Sequence, residues 1–415
     1  MTVAAVPGDR YARSVTATAP ATSTETARVD ALVEQLLADH DPGDEVAFRG
    51  AQYDLGLAWV WFPEGCGGLG IAAELQRRVN ERLRAAGARA DAAERNGFGV
   101  FLAAPTIAAH GTDALKARLL RPLFTGEDVW CQLFSEPGAG SDFAGLSTRA
   151  VRDGDEWVVN GQKVWNTLAH RADRGMLVAR TDPDAPKHRG LTYFALDMHA
   201  PGVDVRPLRQ ITGEAEFNEV YLTDVRVPDA DRIGGLGDGW RVSLTTLMNE
   251  RVTIGGAVSG RESGPIGDAL RVWRAHPERH DPIRRDRLAR AWIDAEVLRL
   301  TNARAAANRK AGTPGPEGSV AKLAFAETNR GIYEVCMDVL GAEGFLYPSY
   351  EMVRPDESSL TGGGDARKMF LRSRAYSIEG GTSEILRNIL GERVLGLPGE
   401  PRTDKDLPWS EVPRS

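Results

Sequence analysis

The sequence predicts an α+β protein in which a helical region, a compact antiparallel β region and a second, longer helical region follow one another. Three observations carry this. Apolar residues recur at spacings of three and four up to about residue 128. Between about 130 and 240 the pattern changes to short apolar runs separated by Gly, Pro and Asp. After Gly239 long amphipathic stretches return. No βαβ rhythm and no internal repeat is visible.

Residues 1–24 are rich in Ala, Thr, Ser and Pro and read as a mobile tail. The first helical domain is expected over 25–129, where Val29, Leu32, Val33, Leu36 and Leu37 mark one helix face, and AELQRRVNERLRAAG and ALKARLLRPL repeat the theme. LAWVWF at 57–62 is the one short apolar run that interrupts it. The β domain is expected over 130–241. In EWVVNGQKVWN, Asn160-Gly161 stands between two apolar runs and predicts a two-residue hairpin turn. GMLVAR, LTYFALDM, VDVRPL and EVYLTDVRVP read as further strands. A helical bundle follows over 242–397, built from WRVSLTTLMNERVTIGGAVSG, RRDRLARAWIDAEVLRLTNARAAANRKAG, SVAKLAFAETNRGIYEVCMDVL and SEILRNILGERVLG. Residues 398–415 read as a polar, Pro-bearing tail.

Composition narrows the function classes. The 415 residues are 42 % hydrophobic and 26 % charged, which suits a globular protein with a sizeable core. With 51 Lys and Arg against 58 Asp and Glu the net charge is −7, so no nucleic-acid partner is expected. No apolar run reaches the roughly 18 residues of a membrane span, and no secretory leader is visible, so the expected location is cytoplasmic. The three cysteines, Cys66, Cys131 and Cys336, are too scattered for a disulfide framework or a zinc site. Gly65-Cys66-Gly67-Gly68-Leu69-Gly70 fits a dinucleotide fingerprint only in its glycines, since it lacks the strand and βαβ context, and reads as a turn. Ser319 of SVAK reads as a helix cap rather than a nucleophile, because the companion motifs of that chemistry are missing. His276 and His280 are separated by Pro277 and have no evident third ligand, so no metal is expected.

The informative block is CQLFSEPGAGSD at 131–142, followed by GQKVWNT at 161–167. Pro137-Gly138-Ala139-Gly140-Ser141 is a tight turn whose backbone N–H groups and hydroxyl suit a phosphate or pyrophosphate. Phe134 and Ser135 offer an apolar wall and a hydrogen-bonding edge. Trp165 supplies a flat face and Thr167 a hydroxyl, and strand alternation puts both on one side. Cradle, stacking face and hydroxyl together suit an isoalloxazine cofactor.

In these residues the chain resembles the acyl-CoA dehydrogenase family. LFSEPGAGSDFAG, GQKVWNT, GDGWRVSLTTLMNER and EGGTSEILRNILGERVLG stand in that family's order and approximate spacing, and the likeness runs from about residue 27 to 400. The resemblance implies an α/β/α flavoprotein that binds FAD. It implies oxidation of the Cα–Cβ bond of an acyl-CoA and transfer of the electrons to an electron-transfer flavoprotein. It places Phe134 and Ser135 at the flavin pyrimidine edge, Gly140 and Ser141 at the pyrophosphate, Trp165 over the ring and Thr167 near N5. Thr382, Ser383 and Glu384 resemble the C-terminal FAD contacts.

The reaction needs a carboxylate base and donors that polarise the thioester oxygen. Many members carry the base in a Y-E-G-T motif, but aligning on Thr382 puts Gly380 there and Glu379 one residue early. A subset resembling the long-chain and isovaleryl enzymes instead has Glu-Arg in the helix after the β domain, as Glu250-Arg251 stands here. The resemblance thus implies Glu250 as base, with Glu379 in reserve. It implies a substrate site lined by Ser141, Arg251, Gly380 and Gly381, with the Gly380 N–H on the thioester oxygen. Family members are homotetramers or homodimers. Here HPERHDPIRRD and Asp338-Val-Leu-Gly-Ala342 replace elements that reach a neighbouring subunit's FAD, so the two assemblies both stay open. Two further readings remain: a dehydrogenase of carrier-protein-bound acyl groups, and a non-catalytic subunit of a heteromeric enzyme.

Overall fold

The computed structural model describes residues 21–88, 93–253, 258, 260–310, 315–356, 364–401, 404 and 406–413. The chain divides into two compact units, one of residues 1–206, 219–246 and 405–415, the other of 207–218 and 247–404.

Among the described residues the first unit holds the α-helices α1 (Ser23–Asp39), α2 (Glu45–Asp54), α3 (Leu75–Ala85), α4 (Ala93–Phe98), α5 (Ala104–His110) and α6 (Asp113–Thr125). The expected tail up to residue 24 lies outside the described residues as far as residue 20. Beyond that, Thr22 already caps α1 through a reciprocal pair of bonds with Glu25. Val29, Val33 and Leu36 are fully buried, each worth about 2 kcal/mol of apolar transfer. LAWVWF forms buried turns rather than a strand, with Trp59 stacked on Phe62 at 4.9 Å. Gly68 is obligatory in the glycine-rich turn beside it, since a Cβ would stand 2.1 Å from the Phe62 carbonyl oxygen.

The β domain holds β1 (Trp130–Leu133), β2 (Arg149–Asp153), β3 (Glu156–Lys163), β4 (Arg174–Arg180), β5 (Leu191–Asp197), β6 (Val203–Pro207), β7 (Asn218–Pro228) and β8 (Arg232–Ile233). They form one eight-stranded sheet in the order β6-β7-β3-β2-β4-β5-β8, with β1 also paired to β4. The sheet is mostly antiparallel. β1 and β2 run parallel to β4, because intervening chain supplies the crossovers.

Two local expectations change here. The tight turn joining β2 to β3 is Gly154-Asp155, flanked by the pair Asp153↔Glu156, not Asn160-Gly161. Asn160 and Gly161 lie within β3 at a register shift against β7, where Asn160 exchanges two 3.0 Å bonds with Asp224. A Cβ on Gly161 would meet Thr148 Oγ1 at 2.3 Å, so this glycine serves close packing rather than turning. Trp165 and Thr167 lie past the end of β3, so strand alternation does not orient them.

Helices follow, long in α9 and α10: α7 (Gly239–Thr253), α8 (Pro265–Ala275), α9 (Pro282–Lys310), α10 (Glu317–Leu340), and the short α11 (Ala366–Arg372) and α12 (Ser383–Ile389). α10 begins after Pro316, which places Ser319 inside the first turn instead of at the cap. In the second unit Ile332, Tyr333, Cys336, Met369 and Tyr376 form the buried core. His280 stacks on Trp273 at 3.7 Å and bonds its carbonyl oxygen, which is a packing role. Among the described residues no helix is long and apolar enough to cross a membrane. Within the segment that reads as a polar C-terminal tail, Trp409 is held against Arg180 and Gly145.

Candidate functional site

In the first unit the structure brings the 132–136 segment alongside 163–166. Val164 N–H donates to the Ser135 carbonyl at 2.9 Å, and Asn166 Nδ2 donates to the Gln132 carbonyl at 2.8 Å. Phe134 is buried, stacked on Phe143 at 4.9 Å and edge-on to Tyr193 at 5.8 Å. Ser135 and Thr167 are half-buried. Trp165 is 58 % exposed and holds φ 62, in the left-handed region that disfavours any bulky side chain. A large aromatic ring kept in such a conformation at the surface points to a function for its face.

The turn after Ser135 is closed by two 3.0 Å bonds between Glu136 and Ala139. Gly138 and Gly140 are exposed, neither has a positive φ, and a Cβ at either would meet nothing within 4 Å. The chain itself therefore gives no reason for glycine here. A group that approaches the backbone closely does, and Ser141 adds an exposed hydroxyl beside it. An isoalloxazine with its pyrophosphate fits this set of ring face, hydroxyls and open backbone.

Two residues missing from the sequence-predicted set hold that turn. Lys163, fully buried, donates to Glu136 Oε1 at 2.8 Å and to the Phe134 carbonyl at 3.0 Å. The Glu136 carboxylate also accepts the N–H groups of Ser147 at 2.6 Å and Thr148 at 2.9 Å. Burial pushes the Glu136 carboxyl up, and the Lys163 charge with these hydrogen bonds brings it below its ordinary value. The signal was present in the motifs, one carboxylate in SEPG and one ammonium in GQKVW, but their pairing is not a local property.

In the second unit Gly380 and Gly381 hold φ 62 and φ 98, so the loop before α12 needs both glycines. Thr382 caps α12 by accepting Ile385 N–H at 3.1 Å, Ser383 Oγ donates to Glu327 at 2.8 Å, and Glu384 lies in the first turn. Lys322, also buried, donates to the carbonyls of Tyr376 at 2.8 Å and Gly381 at 2.7 Å. Burial lowers the basicity of Lys322, while the carboxylates of Glu379, Glu250 and Glu327 act in the opposite direction. The loop glycines and both candidate bases therefore share one electrostatic neighbourhood.

Both acids lie in the second unit. Glu379 is clamped by the buried Arg372 guanidinium through bonds of 3.1 and 3.0 Å, and Arg372 also meets Glu216 at 3.3 Å. Glu250 stands half-buried near the end of α7. The side chain of Arg251, also expected at the substrate site, lies outside the described residues.

Comparison with known families matches the acyl-CoA dehydrogenase N-terminal domain over residues 25–127, its middle domain over 131–225 and its C-terminal domain over 237–395. The chain is 40 % identical over 352 residues to acyl-CoA dehydrogenase IpdE1 of Mycobacterium tuberculosis, covering 84 % of this chain and 86 % of that protein. Among solved structures, the Tcur3481-Tcur3483 steroid ACAD superposes with a TM-score of 0.68 at 26 % identity, covering 90 % of this chain and 98 % of that one. The ChsE4-ChsE5 complex from Mycobacterium tuberculosis gives a TM-score of 0.65 at 29 % identity, covering 96 % and 100 %.

Proposed function

The chain belongs to the acyl-CoA dehydrogenase family, whose members are FAD enzymes, and we propose that it oxidises the Cα–Cβ bond of an acyl-CoA to the trans-2-enoyl thioester with Glu250 as base. The electrons pass to an electron-transfer flavoprotein. When bound, FAD supplies the acceptor for the hydrogen and electron pair that leave Cβ. Phe134, Ser135, Gly140, Ser141, Trp165 and Thr167 would hold and orient it, and Thr382, Ser383 and Glu384 are assigned as further contacts. Glu250 takes the α-proton onto a carboxylate oxygen. The Gly380 N–H donates to the thioester oxygen as negative charge develops there, with Ser141, Arg251 and Gly381 lining the substrate site.

The observation that carries the choice of base is the Arg372 clamp. A carboxylate held bidentately by a buried guanidinium must break both bonds to reach a substrate, and Glu379 is so held. The substrate is an acyl-CoA with a bulky acyl group, a reading supported by the steroid named for the 26 %-identical structure. Assembly as a homo-oligomer or with a homologous chain is compatible with this chemistry, and the complex named for the 29 %-identical structure supports the second.

The test is anaerobic flavin reduction by acyl-CoA. Glu250→Gln is expected to retain flavin and slow reduction by at least about a hundredfold, the low end for loss of a general base. Abolished reduction in Glu379→Gln, together with an active Glu250→Gln, overturns the assignment.

A further inference from the structure

The C-terminal segment lies on the loop that follows β4. Trp409 N–H donates to the Ala185 carbonyl at 3.0 Å and Ser410 N–H to the Pro183 carbonyl at 2.9 Å, and Pro408 bridges to Pro186. This seats the Trp409 ring 4.2 Å from the guanidinium carbon of Arg180. Arg180 is itself buried, and it donates to the carbonyls of Ala144 at 2.6 Å, Leu146 at 3.1 Å and Lys187 at 3.3 Å. The carbonyl between the first two, that of Gly145, accepts the Trp409 indole N–H at 3.2 Å. Carbonyls 144, 145 and 146 are thus all held by the Arg180–Trp409 pair. Lys187 closes the circuit by pairing with Asp142 at 3.1 Å, next to Ser141.

A guanidinium under an aromatic face keeps its hydrogen-bonding fork in a fixed plane and is shielded from water on that side. Three consecutive carbonyls tied from one side cannot rotate independently, so the peptide planes that lead back to Ser141 are constrained as well. We propose that Trp409 is a positioning residue for cofactor binding: the C-terminal segment braces the 140–146 loop through Arg180 and sets how tightly that loop holds the FAD pyrophosphate. This rests on the assignment of Gly140 and Ser141 to the pyrophosphate.

The test uses the full-length holoprotein with Trp409→Ala, Trp409→Phe and, as a control on the loop itself, Gly140→Leu. Three quantities are read: the FAD dissociation constant from flavin fluorescence, amide exchange across 140–147, and the thermal midpoint. Trp409→Ala is expected to weaken FAD about tenfold, as loss of a shielded cation–π contact plus an indole hydrogen bond implies, and to speed exchange across the loop. Trp409→Phe keeps the ring over Arg180 and is expected to fall between wild type and Trp409→Ala. A merely structural role lowers the thermal midpoint and leaves the dissociation constant unchanged, which overturns the proposal. If Gly140→Leu weakens FAD and Trp409→Ala does not, the brace is refuted and the loop assignment stands. If Gly140→Leu leaves FAD affinity unchanged, the loop assignment fails and the proposal falls with it.

Discussion

Replacing Lys163 by methionine isolates what holds the Glu136–Ala139 turn. The substitution keeps the stem of the side chain and removes its charge, leaving Glu136 with 7 % side-chain exposure and without its bonded ammonium. Breaking a buried ion pair from one side costs about 3–5 kcal/mol. The N–H groups of Ser147 and Thr148 remain on the carboxylate, so the loss is expected near the lower figure, about 3 kcal/mol. The pH dependence supplies a second readout. In the wild type the Glu136 carboxyl sits below its ordinary value, so its contribution is present at neutral pH and is lost as pH falls. Without Lys163, burial dominates and the folded carboxyl rises above its unfolded value, so the variant is expected to regain stability as pH falls. Urea unfolding of the holoprotein followed by circular dichroism measures both, with Lys163→Met/Glu136→Gln as the companion. The double variant is expected to recover more than half of the loss. A single-variant loss under about 1 kcal/mol, or no recovery in the double variant, refutes the reasoning.

Other outcomes follow from the same geometry. His110 is held neutral, its pKa pushed down to about 4 by burial and by the Arg241 charge, while its ring bonds Thr245 at 2.8 Å. The unfolded chain takes up that proton first, so stability is expected to fall by up to about 3 kcal/mol as pH drops from about 6.5 toward 4. Thermal melts should show this slope in the wild type and a flatter one in His110→Gln. Lys322→Met removes two charged hydrogen bonds from the Tyr376 and Gly381 carbonyls. A stability loss of about 3 kcal/mol is expected, with flavin retained and, if the loop carries the proposed Gly380 donor, stopped-flow reduction by acyl-CoA slowed. Unchanged reduction kinetics in a folded Lys322→Met removes the loop from the thioester site.

Much of this architecture was legible because the deciding signals are periodic and local. The faces of α1, α3 and α6, the change to short apolar runs after residue 130 and the ordered family motifs need no knowledge of distant partners. What the sequence hid depends on the rest of the chain. Asn160-Gly161 has turn chemistry, but cross-strand bonding to Asp224 and packing on Thr148 place it inside a strand. Trp165 is flanked by Val164 and Asn166, which bond Ser135 and Gln132, yet it stands on a left-handed backbone that alternation does not describe. Glu136 and Lys163, Arg372 and Glu379, and Trp409 and Arg180 are side-chain partners 27, 7 and 229 residues apart. Nothing in any one of them announces the other.

Anaerobic titration of the purified native protein with a panel of acyl-CoA thioesters, followed through flavin absorbance, addresses the account at its centre. A yellow protein that bleaches stoichiometrically with a bulky acyl-CoA is the outcome it requires. Native protein that carries no flavin and does not take it up, or flavin that no acyl thioester reduces, contradicts it.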